Sequence, residues 1–190
     1  MLLSLVSFSD KWVAAAVHKN VKASVLEDPV KALENARSLN EEAVIQLFDA
    51  KCVVSVKQIH AAAVAAHLAF KAGSNISKKF EIEFLLRLAA DTQIERVLEK
   101  IGVNLETKEF GLCVMTRDKD SALKTYREIA SLIGGDPMNE DELRKEERLK
   151  KAMNFYEIID EEIDAVQAPS KADAVLLLIL ERIATLDLKR

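Results

Sequence analysis

The chain has 190 residues, 49% of them apolar and 31% charged, with a formal net charge of −4 at pH 7. That length suits one domain with a real hydrophobic core, so residues 1–190 are read as a single domain. The acidic balance excludes nucleic-acid binding by bulk charge, and the two cysteines, Cys52 and Cys113, form no Cys-x-x-Cys pair and no readable disulfide framework.

The opening Met-Leu-Leu-Ser-Leu-Val-Ser-Phe has no basic leader before Asp10 and Lys11, so no signal peptide is expected. Trp12–Val17 is short, apolar and flanked by polar residues, and is read as a strand. Asp28 followed by Pro29 marks a helix start that carries to about Leu39. Val44–Phe48 and Cys52–Val54 are read as strands about an Asp49-Ala50-Lys51 turn. Ser55, with Gln58 three residues on, caps a long helix that ends near Gly73. Ser77 is read as the cap of the next helix, through Ala89. Asp91 or Thr92 caps a third, closed by Gly102. Glu109–Thr116 has the clearest strand character. Ser121–Ile133 is an amphipathic helix stopped by Gly134-Gly135-Asp136-Pro137, and 134–139 is the one linker candidate. Glu140–Ala152 reads as one charged helix, Phe155–Ile159 as an edge strand, Asp160–Asp164 as a solvated turn or partner surface, and Lys171–Leu186 as the closing helix. Without a regular βαβ alternation, the expected fold is α+β: a small, mainly antiparallel sheet of about four strands against several helices.

Catalytic signatures are missing. There is no phosphate-binding glycine loop, no Gly-x-Ser-x-Gly and no His-Glu-x-x-His. His60 and His67 share a helix face but stand about 10 Å apart along the axis, too far to share one zinc. Cys113 lies mid-strand with no base visible beside it, and both cysteines read as buried thiols. The carboxylate pairs Glu81/Glu83 and Glu161/Glu162 read as solvated helix charges. No catalytic residue, metal, cofactor or small-molecule substrate is expected. The longest apolar run near the C-terminus, Ala174–Leu180, is far short of the ~20 residues of a membrane span, so a cytoplasmic protein is expected.

One charge pattern is unusual. From Ala50 to Phe80 there is no Asp or Glu, while Lys51, Lys57, Lys71, Lys78 and Lys79 fall in the same window. On a helix, Lys57, His60, Val64, His67 and Lys71 occupy an arc of about 80°. This reads either as the polar stripe of a close-packed helix or as a groove for phosphates. Gly73-Ser74-Asn75 continues it as a flexible loop. Ile76 is an apolar residue there on which a base could pack, and Ser77, Lys78 and Lys79 open a helix where phosphate is favoured. In the closing helix, Leu176, Leu180 and Ile183 form a stripe at i, i+4, i+7, either packed inside the protein or facing a partner.

Several segments resemble, in order, the TPRKB-like, kinase-binding subunits of the KEOPS complex, most closely the archaeal type. They are VIQLFDAKCVVSVKQIHAAAVAAHLAFKAG, NISKKFEIEFLLRL, TQIERVLEKIGV, FYEI and LLLILERIATLDL. KEOPS makes threonylcarbamoyladenosine in tRNA. The resemblance implies a non-enzyme that binds the small atypical kinase/ATPase of the complex and holds the single-stranded CCA end of tRNA. It points to Lys57, His60, Asn75, Ile76, Ser77, Lys79 and Arg87 for the tRNA contact. Lys71 and Lys78 are added from charge geometry alone. Leu176, Leu180 and Ile183 are the expected kinase contacts. The family often has Ser-Gly-x-Arg where this chain has Ala89-Ala90-Asp91-Thr92, so an arginine is missing. The alternative is a protein–protein adaptor with no RNA contact.

Overall fold

The computed structural model describes residues 3–189 and is α+β. In chain order its elements are β1 (Ser4–Phe8), β2 (Lys11–Lys19), α1 (Ala23–Glu27), α2 (Pro29–Ser38), β3 (Val44–Asp49), α3 (Val56–Ala72), α4 (Phe80–Ala89), α5 (Ile94–Ile101), β4 (Phe110–Thr116), α6 (Lys119–Ile133), β5 (Asp136–Pro137), α7 (Glu140–Leu143), α8 (Glu146–Tyr156), α9 (Asp160–Ala165) and α10 (Lys171–Ala184). A 3-10 turn, Leu186–Lys189, follows. The chain forms two compact units: the residues through Ala50 together with Leu98–Met138, and Lys51–Val97 together with the chain from Asn139 onward.

The first unit is the sheet. Its order is β1-β2-β4-β3, all antiparallel, with β5 paired to β2. Side chains alternate along a strand, and the alternation is visible here: Ala14 and Ala16 of β2, Phe110, Leu112 and Val114 of β4, and Ile45 and Leu47 of β3 share one face. Ala122, Tyr126, Ile129 and Ile133 of α6 cover that face, as does Ala36 of α2. The intervening residues Val13, Ala15, Val17, Cys113 and Phe48 are buried as well, so β2 and β4 bury both faces. Small alanines suit such a strand, and this is why alanine content weakens a reading based on strand propensity without changing the outcome.

Gly111 of β4 pairs with Phe48 of β3, and a Cβ on Gly111 would clash with the Phe48 ring, closest at its Cζ. The ring is fully buried and has nowhere to retreat. Gly111→Ala is therefore expected to lower unfolding free energy by about 1–3 kcal/mol, read from the denaturant midpoint.

Several boundaries differ from the sequence reading. Cys52–Val54 is not a strand. Gln58 takes up its backbone: Oε1 accepts from the Val54 and Ser55 amides, and Nε2 donates to Cys52 O. Those groups are spent on the cap of α3 and are lost to any ladder. Ser77 does not cap α4. Its Oγ accepts from Lys79 N in a turn, and the helix starts at Phe80. Asp91 accepts from Gln93 N one turn before α5. The expected 140–152 helix is broken at Arg144–Lys145, where Lys145 is extended. Leu143 and Leu149 are both buried, yet six residues on one helix stand about 120° apart in projection, so the break lets both face inward.

Phe155–Ile159 is not an edge strand. α8 continues to Tyr156, whose hydroxyl donates to Leu88 O, and Glu157 ends it in the left-handed region. Asp160–Ala165 is helical rather than a turn. Two strands lie beyond the sequence reading. β1 closes through a Ser9-Asp10 turn instead of an Asn-Gly signal, and β5 forms inside the expected linker.

Candidate partner-binding surface

The second unit is helical and is organised by α3. Ser55 and Gln58 close a capping box at its start, and Gly73 at φ 68° ends it. Ile59, Ala62, Ala63 and Ala66 are buried on one side of α3, and the helix packs against α4 and α10. The side that remains carries Ala61, Val64, Ala65, Leu68 and Ala72. These residues line an apolar groove of about 470 Å³, whose other wall is Leu180, Ile183 and Ala184 of α10. Alanine makes the groove: short side chains at 61, 65 and 72 leave the space between the two helices unfilled. Leu68 stands 56% exposed at its rim. Ser74, Arg87 and Asp187 close one end.

The free stripe of α10 is not the expected one. Leu176 and Ile183 are buried, and Leu180 is half-buried in the groove wall. Leu177 is 47% exposed. At ~100° per residue it projects within about 60° of both Leu180 and Ala184, so the accessible face runs Leu177–Leu180–Ala184. A shift of one position relative to Leu176 turns the helix by about 100°, enough to exchange core for surface.

The basic window divides. Lys71, Lys78 and Lys79 are exposed around the 73–79 loop. Lys57 is exposed as well, but fourteen positions earlier on α3, about 21 Å along the axis. His60, between them, is buried and does not extend a cationic stripe: burial pulls its pKa down to about 4, so it is neutral at pH 7. Ile76 is half-buried and Ser77 buried. Asn75 Nδ2 donates to Ser77 O. Phe70 and Phe80 bracket the loop with ring centroids 5.4 Å apart.

Arg87 and Glu83 correct two further expectations. Arg87 is 1% exposed, and the carboxylates on either side of it take up its donors. Glu83 is fully buried, not solvated. Its Oε2 accepts from the amides of Ile76 and Ser77 at 2.7 and 2.9 Å, and its Oε1 accepts from Arg87 Nε at 2.9 Å. Arg87 also donates to Asp187 Oδ1 at 2.7 Å. Burial alone would lower the Arg87 pKa, but the hydrogen bonds and charges of Asp187 and Glu83 outweigh it and leave the pKa raised. The loop is thus held by a buried carboxylate whose charge the guanidinium balances. Sequence reasoning missed this, although the Glu83–Arg87 spacing of i, i+4 was its visible signal. It also missed Asp187, and Leu68, Leu177, Phe70 and Phe80, the last four of which differ from core residues only in where packing leaves them.

The cysteines and the remaining cavities offer less. Burial raises the Cys113 thiol to about 12, which keeps it protonated and inert, and Cys52 is also buried. Among the described residues no cluster of three or more His, Cys, Asp or Glu could hold a metal ion, and no helix is long and apolar enough to cross a membrane. In the sheet unit a hollow of about 490 Å³ sits at the β4–α6 turn. Its Asp118 carboxylate already caps α6 through the Ser121 amide.

No curated protein matches the chain. The family model for "Kinase binding protein CGI-121" matches residues 13–187, which takes in all of α3, α4 and α10 and all of the sheet except β1 and the first two residues of β2. The chain therefore belongs to the CGI-121 family of kinase-binding proteins, the TPRKB family.

Proposed function

We propose that this chain is a non-catalytic, cytoplasmic subunit of a KEOPS complex. It binds the small atypical kinase/ATPase of that complex and recruits tRNA by its 3′ CCA end for threonylcarbamoyladenosine modification. The observation that carries the kinase half is the α3/α10 groove, with Leu68 and Leu177 exposed beside it. A kinase-binding family needs a surface of this kind, because large apolar side chains left in water gain most when a partner covers them.

The tRNA half draws on the loop. Lys71, Lys78 and Lys79 supply positive charge next to half-buried Ile76 and the Phe70/Phe80 pair. Single-stranded nucleic acid is held by this combination of cations for the backbone and flat or apolar surface for the bases. Asn75 and Ser77 shape the loop from within and are not counted as direct contacts. Lys57, His60 and Arg87 are left out on grounds of distance or burial.

The test is a titration with whole tRNA and with tRNA trimmed of its 3′ end. Lys79→Glu is expected to weaken whole-tRNA binding about tenfold without moving the unfolding midpoint, and trimming is expected to abolish the difference. Three neutralised phosphates predict a log–log salt slope of about −2, at ~−0.7 per contact. Wild-type affinity in Lys79→Glu removes the loop from the interface. No tRNA binding by the wild-type protein leaves a pure protein–protein adaptor.

A further inference from the structure

Glu83, Arg87 and Asp187 form a chain of hydrogen bonds that starts at the loop and ends in the groove. At the loop end, Glu83 Oε2 holds the Ile76 and Ser77 amides. In the middle, the Arg87 guanidinium reaches Glu83 on its own helix and Asp187 in the 3-10 turn after α10. At the groove end, Arg87 and Asp187 both line the apolar cavity. The three differ sharply in exposure: side chains of Glu83 and Arg87 are 0% and 2% exposed, that of Asp187 44%. Solvent therefore acts on the chain mainly at Asp187, the one exposed member that an occupant of the groove would cover.

We propose that Arg87 is a positioning residue through which occupancy of the groove sets the 73–79 loop. The proposal rests on the groove being the kinase-docking surface. An occupant lying on Leu180 and Ala184 excludes water from Asp187. The Arg87–Asp187 attraction strengthens as the local dielectric falls. The guanidinium is then held where its Nε meets Glu83, and Glu83 in turn is held where it clasps the two loop amides. The loop shifts toward its clasped conformation, with Lys78 and Lys79 presented beside it. By linkage, a ligand that prefers the clasped loop tightens groove binding by the same factor.

Amide hydrogen exchange, read by mass spectrometry on the whole chain alone and saturated with its kinase, tests this without RNA. The Ile76 and Ser77 amides are the donors to Glu83, so their exchange reports the clasp directly. The expected result is that kinase slows exchange in 74–79 by about fivefold or more, the lower end of common coupling factors. Asp187→Asn, also saturated with kinase, is expected to lose that added protection, and Asp187→Glu to restore it. Protection of 61–72 and 176–188 by kinase with none in 74–79 overturns the coupling while keeping the groove as the docking surface. Equal loop protection in wild type and Asp187→Asn also overturns it. Protection at neither groove wall overturns the docking surface itself, and the coupling with it.

Discussion

Leu68→Arg is expected to weaken kinase binding by about thirtyfold or more while leaving the protein folded. Leu68 is 56% exposed in the middle of α3, and arginine is a good helix former, so the unfolding free energy should stay within about 0.5 kcal/mol of wild type. In the complex the same position would press a guanidinium against Val64, Ala72 and Leu180, which offer it no acceptor. Central apolar anchors in such interfaces are worth about 2 kcal/mol or more when lost, and a desolvated charge adds to that. Leu180→Arg, half-buried on the facing wall, should act in the same direction. Ile183→Arg is the control for the opposite failure: at 1% exposure it should unfold the helical unit rather than report on the interface. Calorimetric titration with the kinase, beside thermal melts of each variant, separates these outcomes. A folded Leu68→Arg protein with wild-type affinity would take the groove out of the interface.

The second large effect is a loss of stability in mild acid. The folded-state pKa of His60 is depressed by burial to about 4, against about 6.5 in an unfolded chain. Above pH 6.5 both states are neutral and His60 costs nothing. Below it the unfolded state gains a proton that the folded state refuses, so stability falls as pH falls through this window. The loss is about 2 kcal/mol by pH 5 and about 3 kcal/mol by pH 4, because each pH unit between the two pKa values costs ~1.4 kcal/mol. His18 adds to it, because its pKa is lowered by burial as well, partly offset by its contact with Gly134 and by Asp136. Glu162 and Asp173, whose pKa values are lowered chiefly by hydrogen bonds, respond only at more acid pH. Denaturant midpoints from pH 8 to 5 should therefore fall in wild type and fall much less in His60→Gln. Parallel profiles would show that His60 does not set the acid limit.

Local chemistry was readable wherever it closed on itself. Ser55-x-x-Gln58, Asp28-Pro29 and Gly73 each define a helix end within four residues, and the structure keeps all three. β2, β3 and β4 were readable from apolar runs bounded by charge. Phe155-Tyr156-Glu157-Ile158 was misread because strand preference describes a half-buried surface rather than a backbone choice, and α8 supplies such a surface. β5 has two residues, one of them proline, and exists only because β2 lies alongside it. Ala90 adopts the left-handed region at φ 51° where the resembling pattern has glycine. The Ala90 and Asp91 amides close the end of α4 on Arg87 O and Leu86 O, which holds that conformation despite its Cβ.

The same division separates the two halves of the candidate surface. Composition and order of segments were enough to reach the α+β class, the kinase-binding family and the acid-free stretch around the loop, because each depends on residue type and spacing along the chain. Burial does not. His60 and Lys57 were assigned to one basic stripe, yet one is core and the other surface. Glu83 and Arg87 look like ordinary helix charges, yet they are the buried pair that holds Ile76 and Ser77. Leu176 and Leu177 are chemically identical neighbours that packing sends to opposite environments. Which side of a helix meets water is set by the helices packed against it, and that contact is made between residues far apart in sequence.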